Sequence, residues 1–597
     1  MGIFYPSVLV MPSSQFLRPN INNNNNLYFP SRIALHSLSA MSTAAAAETS
    51  PIPVPPPAEP NPFDDPNGSD EAGQNLQAVL TVDRNATLTL ATDALIVLDE
   101  GLAHRRREPR NCCGLLPSST KTTRAIPFYN VLWAELKDFE VTVQYAQPTG
   151  KKGCTVGHVH YTLTDKSSHA HAQSWVEALL DRSYPGSVKR RKRVKVLVNP
   201  FGGQGHAEKL WTREIEPIFA AAKCDVDVEK TAYRGHAVEI VEKMDVDAFD
   251  VVACASGDGL PHEVFNGLAK QKDARRALRQ VAVVQLPCGS GNAMSLNLTG
   301  TGSPSLAAVA IIKGVRTPLD LVAITQGSER YYSFLSQAVG IIAESDLGTE
   351  SLRWMGPLRF TWGFLVRLMG QTVYPAELSY ALETEDKHAI QENHHRFLQE
   401  HVAATAKKLS QGEDSDSETA VPAPSTTGND SMPNLRYGTI TDPLPPKFQT
   451  HDLPTLGNFY TGNMAFMSPQ TPFFSCALPT DGLMDLITID GLVPRLKAVK
   501  MLTSVENGTI MSFPEVNYRK VTGYRITPRY APGSQGTGLK AKLGRWLGGK
   551  GEEKEGFIAI DGERVPFEPF QAEVVPGLGT VLSKRGPVYE FDGPPAV

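Results

Sequence analysis

Ser256-Gly257-Asp258-Gly259 and, thirty residues on, Leu286-Pro287-Cys288-Gly289-Ser290-Gly291-Asn292 are two glycine-rich turns, each closing a strand-like apolar run. Val251-Val252-Ala253-Cys254-Ala255 leads into the first and Val281-Ala282-Val283-Val284 into the second. A third turn, Asn199-Pro200-Phe201-Gly202-Gly203-Gln204-Gly205, follows Val194-Lys195-Val196-Leu197-Val198 in the same way. An open α/β sheet binds its ligands at the carboxyl ends of its strands. Glycine there lets backbone N–H groups approach phosphate oxygens, and the helix that follows adds its positive end. One such turn is common in α/β folds. Three within about a hundred residues, one carrying a carboxylate, predict a nucleotide site.

The chain of 597 residues is long enough for two or three domains. Its net charge of −5 exerts no global pull on nucleic acid, so no such partner is expected and any charged contact is local. Seven scattered cysteines, an odd number, make no disulfide framework, and no Cys/His spacing fits zinc; a cytoplasmic setting is expected. No run of eighteen apolar residues is present, so contact with an endomembrane or the plasma membrane would be peripheral. Nothing in the composition fixes the oligomeric state; a homodimer stays open.

Residues 1–76 read as a disordered tail, with the Asn22–Asn26 tract, an Ala/Pro-rich stretch and Met41 as a second start. Short alternating runs follow over 77–187, such as Ala78-Val79-Leu80-Thr81-Val82 and Val141-Thr142-Val143, then a helical pattern from Ser174 to Leu180. They predict a small β domain of pleckstrin-like type. Its Cys112-Cys113 pair, near Arg105 to Arg107, reads equally as a palmitate acceptor or an exposed loop. Lys189 to Arg193 reads as a solvated basic linker.

Strands and helices alternate over 190–328, predicting an α/β nucleotide-binding domain, and 329–597 reads as a mostly-β, sandwich-like lipid-binding domain. Two insertions are expected to be disordered. Residues 383–447 join a helical piece to an acidic Ser/Pro-rich stretch, with Ser415 and Ser417 as candidate phosphorylation sites. Residues 531–555 set Leu539, Leu543, Trp546 and Leu547 among lysines at the spacing of an interfacial helix, although Gly536, Gly538, Gly544, Gly548 and Gly549 weigh against one.

Ser256-Gly257-Asp258-Gly259-Leu260-Pro261-His262-Glu263-Val264-Phe265-Asn266-Gly267-Leu268 and Pro287-Cys288-Gly289-Ser290-Gly291-Asn292-Ala293 resemble the diacylglycerol/sphingosine kinase catalytic family, and within it the sphingosine (long-chain-base) kinases. The likeness covers roughly 190–380 and 450–595. It implies a lipid kinase using ATP and Mg²⁺. No Gly-x-x-x-x-Gly-Lys-Ser/Thr occurs, so this is not a P-loop enzyme.

The resemblance implies that Asn199, Pro200, Phe201, Gly202 and Gly203 line the nucleotide, with Thr231, Ala232, Tyr233, Arg234 and Gly235 and with Gly289, Ser290 and Gly291. Arg353 and Arg359 match its nucleotide-contacting arginines, which matters because Phe201 and Gln204 stand where basic residues are usual. Asp258 is the expected catalytic base, against the plainer reading of a helix cap, with Ser256, Gly257 and Gly259 beside the substrate. His262 and Glu263 read as bracing that helix. Asp561-Gly562-Glu563 matches a nucleotide-site Asp-Gly-Glu in which Asp561 would hold Mg²⁺, although Asp-Gly is also an ordinary hairpin turn. Asp346 matches an Asp that contacts the substrate head group, with Glu344 in place of the usual preceding Asp. A carboxylate there favours an acceptor with an ammonium group, since an unpaired buried charge costs roughly 3–5 kcal/mol.

The expected function is transfer of the ATP γ-phosphate to the primary hydroxyl of a sphingoid base: sphingosine, dihydrosphingosine or phytosphingosine. A kinase for diacylglycerol or ceramide on the same scaffold, or a weakly active lipid-sensing adaptor, are the alternatives.

Overall fold

A computed structural model describes residues 78–83, 86–99, 123–150, 152–202, 205–347, 372–411, 432–469, 471–529 and 556–594. In the central strands successive side chains enter two different cores. Val194, Val196 and Val198 face one and Leu197 the other; Val251, Ala253 and Ala255 oppose Val252 and Cys254 in the same way. Both faces are covered, so the strands read as continuous apolar runs, the pattern of a buried parallel sheet.

Asp225–Lys230, Arg193–Val198, Val251–Ser256 and Ala282–Pro287 lie side by side in that order, all parallel. The chain moves outward from Arg193–Val198 to Asp225–Lys230 and then returns to the opposite side. Strand order therefore reverses between Arg193–Val198 and Val251–Ser256. The Asn199 turn and the Asp258 turn flank that reversal, where a crevice opens beyond the strand ends.

Val315–Gln326 and Phe570–Ser583 form a long antiparallel pair running from Val315↔Ser583 to Gln326↔Phe570. Phe570–Ser583 also joins Ala282–Pro287 in parallel through Val283↔Val581. The C-terminal strand thus stitches the α/β sheet to the β-rich part, and the whole forms one 15-stranded sheet. Val322, Ile324, Val339, Leu378, Phe459, Leu486, Tyr524 and Phe570, from seven different strands, share a core. A boundary at 328/329 follows the turn after Val315–Gln326, yet that strand and its partner serve both halves.

Toward the N-terminus a four-stranded sheet (Val79–Val82, Ala86–Leu90, Ala94–Asp99, Thr123–Pro127) and a three-stranded one (Val131–Lys137, Glu140–Pro148, Cys154–Thr162) precede the helix His169–Ser183. Its buried Trp175 shares a core with Trp211, Phe219 and Ile311 of the α/β sheet's helices. The buried Lys313 ammonium donates to Ser183 O at 2.9 Å and lies 3.4 Å from the Tyr184 ring centroid.

The disorder expected over 383–447 needs correcting at both ends. Lys387–Gln411 is a helix, anchored by buried Ile390 and by Lys387 Nζ donating to Phe513 O at 2.8 Å. Residues 432–447 are held by the Glu573 carboxylate, which accepts the Arg436 and Tyr437 N–H groups at 2.7 Å each. Apolar anchors and long-range acceptors supply the order that local composition does not. The acidic stretch with Ser415 and Ser417, the 531–555 insertion and Cys112-Cys113 lie outside the described residues. Among the described residues no helix is long and apolar enough to cross a membrane.

Candidate active site

Asp258 follows the strand Val251–Ser256 and opens the helix Gly259–Ala269, but its side chain makes no capping bond to that helix. It reaches across to the second glycine turn instead. Oδ1 accepts Gln285 Nε2 and Met294 N, each at 3.1 Å. Asp258 therefore sits at the start of the helix Ala293–Thr299, joined to the turn that precedes it. Oδ2 faces Gly291, where a Cβ would stand only 2.8 Å away. Burial raises the Asp258 pKa above the ordinary carboxylate value; hydrogen bonds from Ala293, Met294 and Gln285 oppose the rise, and the charge of Asp561 adds to it.

The two turns touch through their backbones. A Cβ on Gly289 would lie 2.6 Å from Gly257 N, so neither turn could keep its place with a larger residue there. Asn292, in the left-handed region at φ 58°, locks the second turn: its Oδ1 accepts Gly289 N and its Nδ2 donates to Gly289 O, both at 2.9 Å. Asn tolerates that conformation better than other non-glycine residues. The Gly289 N–H is thereby occupied, while those of Ser290 and Gly291 have no acceptor among the described residues. Gly289→Ala is expected to destabilise the protein by about 1–3 kcal/mol, as overpacking does. It should lower kcat/KM for ATP about tenfold or more, because it displaces the turn that carries the unoccupied Ser290 and Gly291 N–H groups, checked by steady-state kinetics beside thermal unfolding.

Other nucleotide candidates among the described residues lie in the turns after the neighbouring strands. Asn199 Oδ1 accepts Phe201 N at 3.0 Å, and Gly202 N donates to Asn199 O at 3.0 Å, so this turn binds itself rather than offering those donors. Its Phe201 side chain is 73% exposed. Tyr233, in the turn after the neighbouring strand, is 54% exposed. Thr231 is buried, Ala232 N donates to His236 Nδ1 at 3.1 Å, and Gly235 caps the next helix at φ 89°. Glu263 braces, as expected, but braces that neighbouring helix: its carboxylate accepts Gly235 N at 2.9 Å and Ala237 N at 3.1 Å. Ser256 is buried, its hydroxyl donating to Gly257 O at 2.7 Å.

Asp561 and Gly562 both have positive φ, 50° and 80°, and close a two-residue hairpin in which Ile560 pairs with Glu563. This is the primed turn that Asp-Gly favours. The Asp561 carboxylate is saturated. It accepts Ser333 Oγ at 2.6 Å and the N–H groups of Ser336, Leu335 and Phe334 at 2.9, 3.0 and 3.1 Å, and it bonds His262 Nδ1 at 2.8 Å. Five partners leave no lone pair for Mg²⁺, so the metal role expected for Asp561 does not fit and its place is that of a clamp. Glu563 projects from the same turn, ion-pairs with Arg234 and lies against Gly259, where a Cβ would be 2.7 Å from its Oε1. The hairpin thus closes on the first residue of the Asp258 helix.

Asp346 lies in the helix Ile341–Leu347, its side chain outside the described part. Gly203, Arg353 and Arg359 lie outside the described residues. Beside the Asp346 helix is a narrow apolar cavity of about 50 Å³, walled by Ile341, Ile342, Phe473, Val493, Met501 and Val505 among others. Gln285, Asn292 and this cavity were missed from sequence. The polar Gln285 within the buried run Ala282–Pro287 was the available signal for the first. The cavity walls are indistinguishable in sequence from ordinary core.

Residues 193–324 match the family model of the diacylglycerol kinase catalytic domain, and residues 78–185 match a domain of unknown function. The chain is 32% identical over 474 residues to sphingoid long chain base kinase 5 of Saccharomyces cerevisiae, covering 73% of this chain and 65% of that one. It is 32% identical over 481 residues to sphingoid long chain base kinase 4 of Schizosaccharomyces pombe, covering 79% of this chain and 90% of that one. The chain belongs to the sphingoid long-chain-base kinase family. Sphingosine kinase 1 of Arabidopsis thaliana is 29% identical over 416 residues, covering 66% of this family member and 76% of the plant protein. The α/β sheet with its joined β-rich part is thus the scaffold of an ATP-using lipid kinase.

Proposed function

We propose that this kinase transfers the γ-phosphate of ATP to the primary hydroxyl of a sphingoid long-chain base, giving the base 1-phosphate and ADP. The observation that carries the reading is Asp258. Its carboxylate is buried between two glycine turns, with Oδ1 held by Gln285 and Met294 and Oδ2 turned toward Gly291. In the step, the hydroxyl oxygen bonds to the γ-phosphorus as the bond to the bridging oxygen breaks, and the hydroxyl proton passes to Asp258. A raised pKa brings this carboxylate nearer the operating pH, which suits a base.

The N–H groups of Ser290 and Gly291 are the donors best placed for phosphate oxygens, with Arg234 and the arginines Arg353 and Arg359 as further cations. Exposed Phe201 and Tyr233, at the ends of adjacent strands, offer apolar faces for the base of the nucleotide. Mg²⁺, held chiefly by the phosphates and their water, would neutralise charge there; Glu563 and Asp258 are the carboxylates suited to meet its water shell. The apolar cavity beside the helix Ile341–Leu347 supports a lipid acceptor whose polar end meets Asp346. At about 50 Å³ it must widen to admit a long chain.

Asp346→Asn tests the acceptor. It should lower kcat/KM for sphingosine about a hundredfold, the ratio that roughly 3 kcal/mol of lost charge pairing gives. Affinity for ATP, read by nucleotide titration, should stay unchanged. Equal losses on both sides would remove Asp346 from the head-group site.

A further inference from the structure

From the outer side of the helix Arg495–Val505 we propose a second role for that element: it is the surface on which the protein rests on an anionic bilayer. The inference rests on the lipid-kinase reading, since only a bilayer-resident substrate gives such a surface its use. Leu496 is 83% exposed and Leu492, just before the helix, is 58% exposed. Isolated exposed leucines need no explanation. These two stand together, and Leu496 continues into a row with partly buried Val499 and exposed Lys500 at helical spacing.

The opposite side of the same helix carries Ala498, Met501, Leu502 and Val505, which wall the apolar cavity beside the helix Ile341–Leu347. One short element therefore carries both part of the cavity wall and the exposed leucine. Residues 492–505 contain Arg495, Lys497 and Lys500 and no acidic residue. Lys497 is ion-paired with Glu515, while Arg495 and Lys500 are exposed beside the leucines. Apolar side chains flanked by exposed cations match the boundary between acyl chains and acidic headgroups. An anionic lipid surface neutralises these cations, whereas in a symmetric pair of copies the same cations would face each other. A base leaving the bilayer would then pass along the helix into the cavity rather than through water.

The experiment is co-sedimentation of the full chain with phosphatidylcholine vesicles, with and without phosphatidylserine, alongside phosphorylation of sphingosine in detergent micelles. The variants are Leu492→Ser/Leu496→Ser and Arg495→Glu/Lys500→Glu, all at residues outside the cavity wall. Wild type should sediment with the anionic vesicles, and the charge pair should weaken that binding about thirtyfold, as loss of two headgroup-facing cations predicts. The leucine pair should weaken binding to both vesicle types, and both variants should keep wild-type activity in micelles. Undiminished vesicle binding by the variants would overturn the proposal. So would wild type that ignores vesicles, or a leucine pair that changes the oligomeric state instead. Failure of wild type to phosphorylate sphingosine in micelles is a separate result, and it would strike the functional reading itself.

Discussion

Asp258→Asn should lower phosphoryl transfer to a sphingoid base by about 10²–10⁴-fold, the range a general base contributes. The fold should survive. Asn keeps an acceptor for Gln285 Nε2 and Met294 N, so the joint between the two glycine turns persists. Nucleotide affinity should change little, because the phosphates and their water chiefly hold Mg²⁺ and Asp258 meets only its water shell. A pH profile adds a second readout. Burial holds the Asp258 pKa above the ordinary carboxylate range, and the base must be ionised to accept a proton. The wild-type rate should therefore fall as pH drops through that raised pKa, at a higher pH than an exposed carboxylate would give. The residual rate of the Asn variant should lack this limb. Single-turnover kinetics across pH, with ATP binding measured in parallel, checks both points.

The largest effect on stability is expected at Asp561→Ala. Removal of its carboxylate strands the Ser333 hydroxyl and the Phe334, Leu335 and Ser336 N–H groups in a buried place and unpairs His262. Breaking one member of a buried pair costs roughly 3–5 kcal/mol. For a unit of this size the unfolding midpoint should fall by roughly 3–6 °C. A metal-ligand role would instead lower activity in a way that added Mg²⁺ restores, with the midpoint unchanged.

His262 sets a pH signature on the same clamp. Burial disfavours its charge, but the bond to Asp561 and that carboxylate's charge outweigh burial and raise its pKa. A raised folded-state pKa gives stability that is complete below the ordinary histidine pKa and is lost as pH rises through the raised one. Wild type should lose that increment on going alkaline, and Asp561→Ala should have none to lose. Thermal unfolding as a function of pH reads this directly.

What the sequence made legible follows from locality. Each glycine turn and the apolar run before it are contiguous, so the parallel strands and the crevice at their ends could be read directly. Asp258 could be singled out because it sits within such a turn. Its actual partners could not, because Gln285 and Met294 lie 27 and 36 residues away and meet it only once the second turn packs on the first. Asp561 shows the same limit more sharply. Asp-Gly announced a hairpin, and the hairpin is there, but the donors that fill its carboxylate come from more than 220 residues earlier. Local reading therefore offered a free carboxylate where the fold provides a saturated one. The helical piece at Lys387–Gln411 was legible, but its order was not, for a related reason: its anchor on Phe513 is distant, and its sequence neighbours are acidic and polar. The cavity wall escaped because Val493, Met501 and Val505 obey the same spacing as plain core.

The most direct test of the central claim is transfer of labelled γ-phosphate from ATP to an acceptor panel in mixed micelles. The panel is sphingosine, dihydrosphingosine, phytosphingosine, ceramide and diacylglycerol, with Asp258→Asn alongside. Label appearing on the free bases alone, and vanishing with the Asn variant, is the predicted result. Label on ceramide or diacylglycerol at comparable rates, or transfer that survives the loss of Asp258, would contradict it.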